Sequence, residues 1–296
     1  MSRAFAWVIV AYSVAAVVAL GVGYGIRLEH PIIVAATADV AATIAIFLFS
    51  FTFRNSSFYD PYWSVAPVPI ALYWGICADP GEAEVIRQVV VVALVILWSV
   101  RLTSNWVRGW EGLHHEDWRY VGMRSRSGRA YWPVSFLGIH MAPTIWVFVG
   151  CLSLYAAVSS GARPLGVLDA LAVFVTGGAI WIEARADKEL RHFRSSEREP
   201  EAILSTGLWA YSRHPNYFGE MGFWWGLYLF GLAAAPAYWW TIVGPLAITL
   251  LFWFISLPMI EDRMLERRPG FAKHIARTSM VIPWFPAGRR AHGPGS

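Results

Sequence analysis

Long apolar runs separated by short polar clusters divide the chain into eight stretches, roughly 5–26, 31–53, 62–78, 86–107, 133–158, 165–184, 216–234 and 237–258. A helix needs about 20 apolar residues to cross about 30 Å of hydrocarbon at about 1.5 Å of rise per residue. The pattern therefore predicts an all-α fold: a polytopic integral membrane helical bundle of seven or eight transmembrane helices. The third stretch carries Pro67 and Pro69 near its start and is expected to be broken or partial. The first follows Arg3 with no small-residue cleavage site and polar sequel, so it is expected to stay as a span. Pro258 is expected to end the last span. Residues 1–286 read as one helical domain and 287–296 as a disordered tail, with no internal repeat and no soluble domain.

Composition agrees. The chain of 296 residues is 56% hydrophobic, 16% aromatic and 15% charged, with mean hydropathy +0.45. Soluble domains carry about 25% charge. The 17 Trp and 12 Tyr suit aromatic belts at the two membrane interfaces. A net charge of +4 gives no reason to expect nucleic acid. Cys77 and Cys151 show neither disulfide nor metal spacing and read as buried small residues. Alternating eight spans from a cytoplasmic N-terminus puts 21 of the 24 Lys and Arg in cytoplasmic segments and leaves only Arg27, Arg87 and Arg163 outside. Basic residues favour cytoplasmic loops, so both termini are expected there, and the long polar loops meet on one face.

Candidate chemistry concentrates in Gly207–Trp225, GLWAYSRHPNYFGEMGFWW. Pro215 breaks an incoming helix, and Asn216 opens the next apolar segment as a helix N-terminus would. Asn216 and Glu220 are four apart and share a face. A carboxylate one turn inside an apolar helix marks a functional site by default; the plain alternative is an interfacial cap. Upstream, Glu183, Asp187, Arg191 and Arg194 repeat at i, i+4, i+8 and i+11 along an extension of the sixth span. They read either as a solvated stripe of ion pairs or as a site for phosphate and ribose, since arginine forks match phosphate oxygens.

Three other polar stretches stand out. In RNSSFYDPYWS, Asp60 and Tyr62 are either part of an interfacial turn or groups at a cavity mouth. Between Arg101 and Arg129, Arg101, Asn105 and Arg108 share a helical face. His114, His115, Glu116 and Asp117 lack an HxxxH or HExxH partner, so no metal site is expected and a salt-bridged loop is the better reading. From Glu261 to Pro286 a short basic amphipathic segment either lies along the interface or closes a cofactor cleft. No GxGxxG, GKS/T or GxSxG motif is present. Any nucleotide site must therefore be built from helix ends, whose N-termini favour anions.

GLWAYSRHPNYFGE, with ADKELRHFR upstream, IED…RRPGFAKHIARTSMVIPWFP downstream, and RLTSNWVRGW and HEDWRY earlier, resembles the membrane-embedded steroid 5α-reductase superfamily, in particular its bacterial branch. The resemblance covers about residues 54–286, and its reductase-like C-terminal part about 133–286. Sterol Δ14-reductases and isoprenylcysteine carboxyl methyltransferases carry similar RHPxYxG stretches. The resemblance implies a reductase of a bacterial inner membrane that takes NADPH from the cytoplasm. It places Asp187, Arg191 and Arg194 at polar positions that contact the cofactor, and Asn216 and Glu220 near the nicotinamide. Tyr211, Arg213, His214 and Tyr217 fall in the nucleotide-binding stretch. The tyrosine that polarises a 3-keto group in steroid reductases is replaced near Arg101 by Trp98.

The expected reaction is hydride transfer from NADPH to a C=C bond of an apolar lipid, steroid or isoprenoid-like substrate drawn from the bilayer. Glu220 would hold the carboxamide, and Tyr62 or Asp60 would donate the proton. Two other classes stay open: an S-adenosylmethionine-dependent lipid or isoprenoid methyltransferase, and a non-catalytic lipid-binding protein. The sequence leaves the oligomeric state open.

Overall fold

The computed structural model describes residues 2–286 other than 79, 80, 82, 197, 198 and 200. The expected tail, 287–296, lies outside the described residues. Among the described residues the fold is helical, and a parallel bridge between Ser212 and Ser279 is the one β contact. The helices are α1 (Ser2–Gly25), α2 (Pro31–Thr52), α3 (Tyr62–Val65), α4 (Pro67–Ile76), α5 (Val85–Gly109), α6 (Trp118–Ser127), α7 (Tyr131–Ser135), α8 (Ala142–Val158), α9 (Val167–Ser195), α10 (Pro215–Ala234), α11 (Val243–Leu251), α12 (Leu257–Arg267) and α13 (Phe271–Ile275).

Among the described residues, six helical stretches are long and apolar enough to cross a membrane: Arg3–Gly25, Pro31–Thr52, Val85–Gly109, Trp118–Val158, Val167–Ser195 and Pro236–Arg267. Apolar side chains on them, such as Leu20, Val89 and Phe174, point outward from the protein. The chain is a multi-pass helical membrane protein. Of the eight expected spans, the third is broken: α3 and α4 meet at Ala66–Pro67, and α4 has only 10 residues. The seventh is formed as α10, 20 residues long, but its glycines, tyrosines and tryptophans lower its hydropathy and it is not among the six.

Pro258 does not end the last span. Helix continues to Arg267 through a π turn, Phe252–Ser256, placed just before Pro258. The same arrangement occurs at Phe136–Met141 before Pro143. An α-helical proline clashes with the carbonyl four residues back. A π turn widens the backbone ring there and lets the helix run on.

The chain packs as two compact units, one within Met1–Ala172 and Leu227–Ala247, the other within Val173–Gly226 and Ile248–Ser296. In the first, α1 lies along α2, and α4 packs on α5 and α8. Ala11, Ala15, Ala42 and Ala45 keep the α1 and α2 backbones close, and Phe58, Tyr59 and Tyr62 fill the core beside them. The fully buried Arg87 of α5 holds Asp169 through two bonds, Nε to Oδ1 at 2.7 Å and Nη2 to Oδ2 at 3.1 Å, and donates to the Gly161 carbonyl. Asp169 in turn accepts the Gly166 N–H at the start of α9. α2 ends with Asn55 N–H on Ser50 O and Arg54 N–H on Phe51 O, a Schellman closure in which Arg54, at φ +52°, occupies the position glycine usually takes. Cys151 is buried as expected, whereas Cys77, just past α4, is exposed.

In the second unit, α9 and α10 approach at glycines. A Cβ on Gly219 would meet Cγ of Glu183 and the Ala179 carbonyl, and one on Gly226 would meet Thr176. Helices in lipid pack by such small-residue contacts, since apolar tails offer no hydrophobic incentive to associate.

Candidate functional site

The start of α10 is built as the sequence predicts. Pro215 is the first helical residue, where its missing N–H is no loss, and the Phe218 N–H bonds to the His214 carbonyl. Ahead of it, Gly207 at φ +59° turns the chain against the Glu189 carboxylate, which accepts the Leu208 N–H at 2.9 Å. Trp209 Nε1 donates to the Ala186 carbonyl at 3.1 Å. These bonds fix the loop to the last turns of α9.

The RHP segment is held from the other side by residues far along the chain. Arg213 grips Glu261 of α12 with two bonds, Nε to Oε1 at 2.7 Å and Nη2 to Oε2 at 3.1 Å, and donates from Nη1 to the carbonyls of Ile275 and Thr278. His214 Nε2 lies 3.0 Å from Glu261 Oε1. Ser212 Oγ donates to the Val281 carbonyl at 2.7 Å, Arg213 N–H to the Ser279 carbonyl, and the Trp284 N–H to the Tyr211 carbonyl. His274 stands beside this cluster. Burial, then the Arg213 charge, holds its pKa below the ordinary histidine value, against an opposing pull from Glu261.

On α10 itself, Glu220 is buried and its Oε1 accepts Trp224 Nε1 at 2.9 Å. Asn216 Oδ1, one turn earlier on the same face, is shut off from water and has no hydrogen-bond donor. Tyr217 packs edge-on against Phe252, with centroids 4.9 Å apart. Tyr211 meets Phe285 edge-on at 6.1 Å. Of the α9 stripe, Glu183 and Asp187 are buried, Arg191 is half-buried and Arg194 is exposed. Every residue the sequence assigned to the cofactor thus lies in one compact unit. The unforeseen members are Glu261, which holds Arg213 and His214, and Glu189, which holds the Gly207 turn.

Asp60 and Tyr62 belong to the other unit. Tyr62 OH donates to Asp39 Oδ1 on α2 at 2.6 Å. Asp60 Oδ1 accepts Tyr120 OH at 2.7 Å. Burial pushes the Asp60 carboxyl up to about 6, with the Tyr120 hydrogen bond pulling it back. Around them runs a buried polar network. Ser56 N–H bonds to Glu116 Oε1 at 2.7 Å, and Ser56 Oγ touches Tyr131 OH at 2.7 Å and Ser135 Oγ at 3.0 Å. His140 bridges the Ser135 carbonyl and Ser50 Oγ, both at 3.0 Å. The HHED segment forms ion pairs. Glu116 pairs with Arg124 at 2.9 Å; Asp117 pairs with Arg119 at 2.8 Å and accepts its N–H at the start of α6.

Residues 46–278 match the family model described as "Protein of unknown function (DUF1295)". An uncharacterized protein of Schizosaccharomyces pombe is similar, 25% identical over 252 residues that cover 78% of this chain and 73% of that protein. No solved structure matches the chain.

Proposed function

We infer that this chain, which belongs to the DUF1295 family, is an NADPH-dependent membrane reductase acting on a C=C bond of an apolar lipid, steroid or isoprenoid-like substrate. The observation that carries the reading is the unanswered acceptor of Asn216, buried one turn before the buried carboxylate of Glu220. A buried polar atom without a partner costs about 1–3 kcal/mol. A nicotinamide carboxamide supplies the N–H donor that the Asn216 oxygen lacks, so the residues present fit that group.

The rest of the unit supplies what a phosphorylated nucleotide needs. Arg191 and Arg194 on the last turns of α9 offer guanidinium forks for phosphates, and Asp187 offers a carboxylate for ribose hydroxyls. The Pro215 N-terminus of α10 adds a partial positive charge. Tyr211 and Tyr217 provide aromatic faces. Arg213 and His214 hold the loop in place through Glu261, and on this reading they shape the site. NADPH, when bound, supplies the hydride. The protein's own part is to orient the ring with Asn216 and Glu220 and to keep water from it.

The test is thermal shift of the detergent-purified protein with NADPH, NADH and S-adenosylmethionine. NADPH raises the unfolding midpoint, and Glu220→Gln lowers NADPH affinity by about tenfold, one lost charge-assisted hydrogen bond, while the ligand-free midpoint stays put. A shift with S-adenosylmethionine alone would replace the reductase by a methyltransferase, and no shift with any of the three would end both readings.

A further inference from the structure

One corner of the first unit sets positive charge above an apolar wall, a feature independent of the reductase reading. Arg54 lies just past the end of α2, Arg126 is in the last turn of α6, and Arg129 is in the turn that leads into α7. Arg124 ties these segments together: its Nη2 donates to the Arg54 carbonyl at 3.1 Å, and its guanidinium lies 3.9 Å over the Tyr131 ring. Glu116 answers the Arg124 charge at 2.9 Å. Arg54, Arg126 and Arg129 are exposed, and none of the three pairs with an acidic side chain among the described residues. Arg54 also stands at φ +52°, a conformation that glycine adopts without strain and a side chain does not. Strain of this kind persists where the residue is used, yet the Arg54 guanidinium makes no hydrogen bond among the described residues.

The wall continues from these charges into the spans. Ile44, Leu48 and Phe51 are exposed at i, i+4 and i+7 along α2, a stripe that runs toward Arg54. Phe51 meets the Trp132 ring edge-on with centroids 5.0 Å apart, and Val134 and Leu137 are exposed beyond it. Both segments belong to stretches apolar and long enough to cross a membrane, so the arginines stand where the hydrocarbon ends. A soluble anion would meet the arginines and leave the wall unused. A zwitterionic headgroup carries a cation of its own, which three unanswered guanidiniums disfavour. We propose that this corner seats one anionic phospholipid, with its phosphate held by Arg54, Arg126 and Arg129 and its chains laid along Leu48, Phe51 and Trp132. Such a lipid needs no nucleotide, so its binding does not depend on the site around Asn216.

The experiment titrates the detergent-purified full chain with dioleoyl phosphatidylglycerol, dioleoyl phosphatidylcholine and glycerol 3-phosphate, reading retained lipid by native mass spectrometry together with the thermal midpoint. Phosphatidylglycerol should stay bound and raise the midpoint at concentrations where the other two do neither. Arg54→Gly relieves the strained backbone, so the ligand-free midpoint should hold or rise while phosphatidylglycerol affinity falls about fivefold, the worth of one interfacial arginine. Arg126→Gln with Arg129→Gln, both exposed, makes the same test without touching the end of α2, and all three changes together should cost on the order of a hundredfold. Arg267→Gln, Lys273→Gln and Arg277→Gln remove the same charge from exposed positions of the second unit and should leave the affinity unchanged. Equal retention of phosphatidylcholine, an equal response to glycerol 3-phosphate, an affinity unmoved by the first-unit variants, or an equal loss in the second-unit variant would each overturn the proposal.

Discussion

Asp60 shows how one buried side chain makes stability depend on pH. Its carboxyl sits near 6 in the folded protein, against an ordinary value of 3.8. A carboxyl raised on folding favours the native state most when it is protonated in both states, below about pH 4. That contribution is lost as pH climbs through 6. Asparagine in its place keeps an acceptor for the Tyr120 hydroxyl and does not titrate. Asp60→Asn is therefore expected to gain on the parent protein between pH 4 and pH 7 in thermal melts, and a difference that stays flat over that range contradicts the burial argument. At this scale the sequence spoke unevenly. Asn216 and Glu220 announce themselves because they are polar at helical spacing in apolar surroundings. Tyr62 also looked conspicuous, but its partner Asp39 lies 23 residues away on another helix, and no local periodicity relates the two.

Helices were largely legible, since a run of apolar residues long enough to cross a bilayer has few other fates. Pro215 marked the start of α10 correctly, because a proline at a helix's first turn loses nothing. Pro258 misled for the complementary reason: a proline inside a helix stops it only if the preceding turn is α, and here it is π. Helix contacts were less legible than helices. The stripe Gly219, Gly222 and Gly226 lets α10 lie against α9, and nothing in the spacing says which helix it meets. Gly219→Val places a branched side chain against Glu183 and the Ala179 carbonyl and is expected to destabilise by at least the 1–3 kcal/mol typical of an overpacked core. A chemical- or heat-denaturation midpoint equal to that of the parent would show that the two helices do not touch there.

For the molecule as a whole, pairings distant in the chain decide what holds the loop before α10 in place. Arg213 and Glu261 are 48 residues apart and both mostly buried. Removing one partner strands the other's charge. Arg213→Ala is expected to destabilise by about 3–5 kcal/mol and to speed proteolysis within residues 275–286. Adding Glu261→Ala should recover part of that loss, since the stranded carboxylate goes too. Strictly additive losses in the two single variants would remove the pair from its proposed role. The sequence displayed both residues at the edges of polar stretches, yet a pairing across two helices carries no signature in one chain's spacing.

The bonds from Ser212, Arg213 and His214 to Glu261 and the 275–281 segment also set an order of events during synthesis. Residues near 213 emerge from the ribosome well before those near 261 and 281. Until the later segment arrives, the guanidinium has no counter-charge and the turn before α10 has no brace. Nascent chains stalled anywhere between these points should present this loop open to protease at the membrane surface, whereas chains carried past residue 281 should present it closed.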